Sequence, residues 1–327
     1  MPTETATART EQRESLGSRA QVLLGQNGAL VALVLLSVVM AVLSPVFFST
    51  QNLLNVGVQA AVVAILAFGQ TFVIVSAGID LSVGSVAALA SIVTAYTATT
   101  TGVHPLLAIA IGLLTGVAAG FISGTLVAYG RLPAFIATLA MLSIARGLAL
   151  VLSDGVPIAQ PSAVAWLGST IGGWLPVPVL VMMVLGGLAA FILNRTYSGR
   201  AMYAIGGNEE AARLSGINVR HQQLVIYSLS GAFAAVAGLV LAGRLASGQP
   251  QAAAGYELDA IAAVVIGGAS LAGGSGRAFG TFVGALVLAV IRNGLNLLNV
   301  SSFWQQVVIG AVIALAVLSD TLRRRRA

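Results

Sequence analysis

A chain of 327 residues that is 57% hydrophobic and 8% charged lies outside the composition of a soluble domain, about a quarter of which is charged. Its 16 basic side chains are all arginine and it has no cysteine, which excludes a lysine-bearing phosphate loop, a Schiff-base lysine, disulfides and thiolate chemistry. The net charge of +6 gathers at the ends and in loops, which reads as membrane topology and not as nucleic-acid binding.

Residues 1–26 mix both charge signs and lack hydrophobic density. They predict a disordered cytoplasmic tail and not a secretory leader. Apolar runs then recur at the length needed to cross roughly 30 Å of hydrocarbon. Ten spans are predicted, near 28–48, 53–76, 84–100, 105–128, 134–152, 174–193, 222–243, 258–273, 279–298 and 303–319. With the N-terminus inside, Arg131, Arg195, Arg200, Arg213, Arg220, Arg277 and Arg323 to Arg326 all face the cytoplasm. Outer loops receive Arg244, with Asp154 and Glu257. That is the positive-inside pattern, and an odd span count would break it at the C-terminus. Trp166, Trp174 and Trp304 fall near the outer face, as an aromatic belt does. The expected fold is therefore an all-α integral membrane protein with both termini cytoplasmic. A single domain covers 27–320, interrupted by a cytoplasmic loop at 194–221. The basic tail at 321–327 is expected to anchor to anionic lipid headgroups.

Candidate functional groups are sparse. Asp80 sits in GIDLSVG (78–84) between two spans. It reads either as a gating or pathway carboxylate or as the cap, with Ser82, of a helix starting near Val83. A second short glycine-rich turn, GSGRAFG (274–280), echoes it and hints at a duplicated unit. Arg146, in mid-span, needs a partner: an ion pair, backbone carbonyls or a watered path. Arg292 is expected to snorkel toward the interface. Asn293 and Asn296 share a helix face, and Gln59, Gln70, Gln305 and Gln306 add neutral amides. Such groups suit a neutral polyol, and they equally serve as hydrogen bonds between helices. His104 and His221 lack any metal-ligand spacing.

The loop at 194–221 carries six charged residues in an otherwise apolar stretch. Asn208 is placed to cap a helix whose first turn holds Glu209 and Glu210. Arg213 pairs at helical spacing, and Gly216 stops the helix. Ala211, Leu214 and Ser215 share one face, which suits either a partner's groove or the lipid surface.

Glu210-Ala211-Ala212-x-x-x-Gly216 resembles the E-A-A-x-x-x-G signature of permease subunits of ATP-binding-cassette importers. AGIDLSVGS (77–85), RLPAFIATLAMLSIARGLAL (131–150), GRAMYAIGGNEEAARLSGINV (199–219) and the stretch 257–298 resemble, in order, the ribose/xylose-type branched permease family. The likeness runs from about residue 28 to 320. Ala134 departs from it, where that family often has a second proline.

The resemblance implies a bacterial plasma-membrane permease that works as a pair, with two cytoplasmic ATPases and a periplasmic or lipid-anchored sugar-binding protein. Asn208, Glu209, Glu210, Ala211, Ala212, Arg213, Leu214 and Gly216 would form the coupling helix that enters the ATPase. ATP would be bound by that partner, and this chain would carry no catalytic residue, metal or cofactor. Asp80, Arg146, Asn293 and Asn296 are the candidates for the translocation path or its gate. The rival reading is a partner-independent facilitator or channel for small neutral solutes.

Overall fold

The computed structural model describes the backbone of residues 28–324. The expected tail at 1–26 lies outside the described residues, as do residues 325–327 and the side chains of Arg323 and Arg324. The fold is mostly helical. In lipid the backbone must satisfy its own hydrogen bonds, and uninterrupted apolar runs do so only as helices. In chain order these are α1 (Gly28–Leu43), α2 (Thr50–Val75), α3 (Val83–Thr99), α4 (Pro105–Ala128), α5 (Ala134–Ser153) and a one-turn α6 (Ser162–Ala165). There follow α7 (Val177–Arg195), α8 (Tyr197–Gly207), α9 (Glu209–Leu214), α10 (Val219–Leu245), α11 (Tyr256–Ile266), α12 (Ala278–Leu297) and α13 (Ser302–Arg324). Two minimal strand pairs close the loops. β1 (Ile158–Ala159) runs antiparallel to β4 (Ser247–Gly248), and β2 (Thr170–Ile171) to β3 (Leu175–Pro176).

Six helices, α2, α4, α5, α7, α10 and α12, are long and apolar enough to cross a membrane. The expectation of ten full spans needs correction at 258–273. There the helix ends at Ile266, and eleven residues rise only about 16 Å. The next ten residues hold five glycines, which disfavour helix. They form a buttressed loop instead, with the Ser270 N–H donating to Ser275 and the Gly274 N–H to Val75.

The centre of the molecule is α2. Ile65, Leu66, Phe68 and Phe72 on it are fully buried, and it packs against α7, α10, α11 and α12. The closest helix pair is α4 on α10, where Gly116 and Gly120 meet the backbone at Gly231 and Tyr227. The small-residue spacing thus serves packing within the bundle, where it lets two backbones touch. The helix α10 spans roughly 40 Å, from the polar island to the strand pair β1–β4. The molecule consequently has two distinct ends, one at the island and one at the far end of α10.

Candidate functional site

The island contains two helices where the sequence suggested one. Thr196 opens α8, its Oγ1 accepting from the Gly199 N–H at 3.0 Å. At Asn208 the backbone is extended, which separates α8 from α9, and Asn208 Oδ1 accepts from the Ala211 N–H at 2.9 Å. Arg213 Nη2 donates to Glu210 Oε1 at 2.6 Å, and Glu210 holds the guanidinium above its ordinary pKa. Both side chains are solvent-exposed, so the pair shapes the surface more than it stabilises the fold. The chain leaves α9 through Gly216, whose φ of 86° is left-handed and favours glycine.

The two faces of α9 differ. Ala212 points inward and packs with Ile205 and Val219. Leu214 points outward and is 79% exposed, beside exposed Ala211 and Ser215. A leucine that bare, on a helix otherwise charged, is an unpartnered contact point.

Beneath α8, the helix that leads into α9, lies a seat made by other parts of the chain. Tyr203 Oη donates to the Gly276 carbonyl at 2.8 Å, and burial raises the phenol's pKa, so the donor stays protonated. Gly206 lies so close to the Val75 carbonyl and the Gly274 N–H that a Cβ there has no room. The Gly274 N–H itself donates to the Val75 carbonyl at 2.8 Å. The segment just before the glycine-rich turn 78–84 thus touches the start of the turn 274–280, and α8 rests on both. The echo between the two turns gave no sign of this contact, because contacts between distant loops leave no local pattern.

Asp80 is 1% exposed. Its Oδ1 accepts from the Ser82 N–H at 2.9 Å and from Ser82 Oγ at 2.6 Å, and its Oδ2 from Ser230 Oγ on α10 at 2.8 Å. The carboxamide of Gln70 binds the N–H and the carbonyl of Asp80, each at 3.1 Å. The capping expectation is corrected here. Ser82 occupies the N-cap position of α3 without a side-chain bond, and Asp80 fastens the loop to α10 instead.

The other candidates lie at the far end and do not converge. Arg146 Nη1 donates to the Pro250 carbonyl at 2.6 Å and to Ala252 at 3.0 Å, which clamps the loop after β4. Asn293 exchanges amide hydrogen bonds with Asn52 at 2.8 and 3.0 Å, tying α12 to α2. Asn296, one turn on, accepts from Gln305 at 2.7 Å and lines a cavity. Arg292 does not snorkel. It donates to Asp259 at 2.5 Å and stacks 5.5 Å from the Tyr256 ring centroid. The sequence reading missed this pair because its members stand 33 positions apart. Among the described residues no group of three His, Asp or Glu side chains gathers to hold a metal.

A family model described as the permease component of branched-chain amino acid transport systems matches residues 52–317. The chain belongs to this family. The match runs from α2 into α13 and includes the island, both glycine-rich turns and the far-end cavity. With its six long apolar helices, the chain is a multi-pass membrane permease. It is 46% identical to the ribose import permease protein of Escherichia coli K12 over 91% of this chain and 94% of that one. Identity to the ribose import permease protein of Bacillus subtilis is 45%, covering 90% and 92%. The D-allose transport system permease protein of Escherichia coli K12 is 40% identical, covering 90% and 91%. No solved structure matches the chain.

Proposed function

We propose that this chain is the membrane-spanning permease of an ATP-binding-cassette importer for a monosaccharide, coupled through α9 to a cytoplasmic ATPase. The cargo class rests on the relatives, named for ribose, allose and xylose. The single observation that carries the coupling is the build of α9. It is a capped helix with its inner face packed, it follows a helix seated on close glycine contacts, and it offers a bare Leu214. An apolar knob on a short polar helix suits a groove on a soluble partner.

In this reading the island and the arginine-bearing loops face the cytoplasm of a bacterium, as do both termini. About ten helices are membrane-embedded, with α11 entering only part-way. A second permease subunit and a sugar-binding protein outside complete the assembly. Asn208, Glu209, Glu210, Ala211, Ala212, Arg213, Leu214 and Gly216 form the coupling element. Closure of the ATPases would press on α9, and the seat would pass that displacement to the two glycine-rich turns. Asp80 then acts in gating, because it joins one of those turns to α10. Arg146 and Asn293 hold the frame of the path, and Asn296 borders it. ATP is bound by the partner, and this chain needs no cofactor of its own.

The test is affinity capture of the tagged chain from its native membrane. An ATPase carrying a G-x-x-x-x-G-K-[ST] loop is expected to come with it, and to be lost in Leu214→Glu and in the double variant Glu210→Ala/Gly216→Ala. Capture that survives both changes would refute the coupling role. A chain that purifies alone and admits D-ribose into liposomes without ATP would be a facilitator.

A further inference from the structure

The end of the molecule opposite the island encloses a cavity of about 180 Å3. One water needs only roughly 15 Å3 by the same kind of measure, so the space accommodates a small-ring solute. Its walls are partly apolar, from Val63, Leu288 and Ala289. The polar groups converge from five helices: Gln59 of α2, Arg244 of α10, Tyr256 and Asp259 of α11, Arg292 and Asn296 of α12, and Gln305 of α13. A few convergent polar groups in an otherwise apolar hollow are the general form of a small-molecule site.

The hydrogen-bonding inventory selects the ligand class. The Asp259 carboxylate has about four acceptor positions, and Arg292 fills one. The guanidinium of Arg292 has five donors, and one goes to Asp259. Among the described residues, the Gln59 carboxamide and the Arg244 guanidinium take part in no hydrogen bond, although both line the cavity. Spare donors therefore stand beside spare acceptors, which is what adjacent hydroxyls require, since each both donates and accepts. The Tyr256 ring, already under Arg292, adds an aromatic wall of the kind that covers a C–H face. The ion pair is internally neutralised. Arg244, the one charge left over, stands at a solvent-exposed position, so the paired, neutralised groups of the inner lining favour a neutral solute.

We propose that this cavity is a binding site for one neutral polyol of monosaccharide size, a station for the sugar within a single permease subunit. The proposal rests on the sugar-import reading above and adds a location and a residue set to it. It also gives Asp259, Arg292 and Tyr256 a task that neither packing nor topology explains.

The experiment uses the whole importer in proteoliposomes, with its ATPase and binding protein, and D-ribose and D-allose as probes. Ala289→Leu narrows the cavity without touching the ion pair, and Gln59→Leu removes a free amide at similar volume. In Ala289→Leu the D-ribose uptake rate is expected to fall about tenfold, and the D-allose rate at least threefold further, because the larger sugar feels the lost space more. In Gln59→Leu a drop of about threefold for both sugars is expected. Partner capture and melting temperature serve as controls for folding. Rates within twofold of wild type in both variants would overturn the proposal and leave the import reading intact. A wild-type rate that depends on phosphatidylglycerol, with that dependence lost in Ala289→Leu, would mark a lipid-headgroup site and also overturn it. A wild-type assembly that takes up neither sugar would defeat the import reading itself, before any variant is made.

Discussion

The two ends of the molecule are built on opposite plans. At the island end, contact is backbone to backbone: Gly206 on Val75 and Gly274, and Gly274 on Val75. At the far end, side chains make the contacts: Arg292 with Asp259 beside a cavity, Asn293 with Asn52, and Arg146 with the carbonyls of a loop. Backbone contacts have no rotamers to relax, so the contact of α8 with Val75 and Gly274 is a stiff one. Side chains around a cavity can reorganise, which suits accommodating a solute. A stiff contact beneath the island and a reorganisable cavity at the far end thus stand about one long helix, α10, apart.

The largest expected effect tests the stiff end. Gly206→Val should abolish ATP-driven D-ribose uptake, because its side chain would collide with main-chain atoms that cannot turn away. Gly207→Val is the matched control, since a Cβ there meets nothing within 4 Å, and it should transport near the wild-type rate. Equal losses in the two variants would show that the seat is not a rigid contact.

At the far end, Asp259→Asn should lower stability by about 2 kcal/mol, read as a melting-temperature drop in detergent. That is less than the roughly 3–5 kcal/mol lost when one member of a fully buried pair goes, because Arg292 keeps some solvent contact. Asn52→Ala strands the Asn293 amide and should cost about 1–2 kcal/mol. A double-mutant cycle over Asn52 and Asn293 should return a coupling of about 0.6–1.7 kcal/mol. A cycle near zero would mean that the two helices are held by packing alone. The smallest effect is local. Asn208→Ala removes a cap worth about 1 kcal/mol. It should speed hydrogen exchange at the Ala211 amide, with little change in melting temperature.

Much of this architecture was legible before any coordinates. The apolar runs located nearly every long helix, because a helix in lipid needs only an unbroken apolar stretch. The cap at Asn208, the Glu210–Arg213 pair and the stop at Gly216 were readable because their partners lie within four residues. The misreadings share one cause. Arg292 reads as an interface group and a helix cap is one of two readings of Asp80, and in both cases the deciding partner lies far away in sequence. Asp259 precedes Arg292 by 33 positions, and Ser230 follows Asp80 by 150.

Composition, arginine placement and the E-A-A-x-x-x-G stretch by themselves determined a membrane permease with a polar, capped island helix, because these are local or bulk properties of the chain. Tertiary structure alone decided that the segment before one glycine-rich turn meets the start of the other under α8, and that a neutralised ion pair lines a cavity at the other end. Both depend on groups that become neighbours only when helices distant in sequence pack together, and no local periodicity records such a meeting.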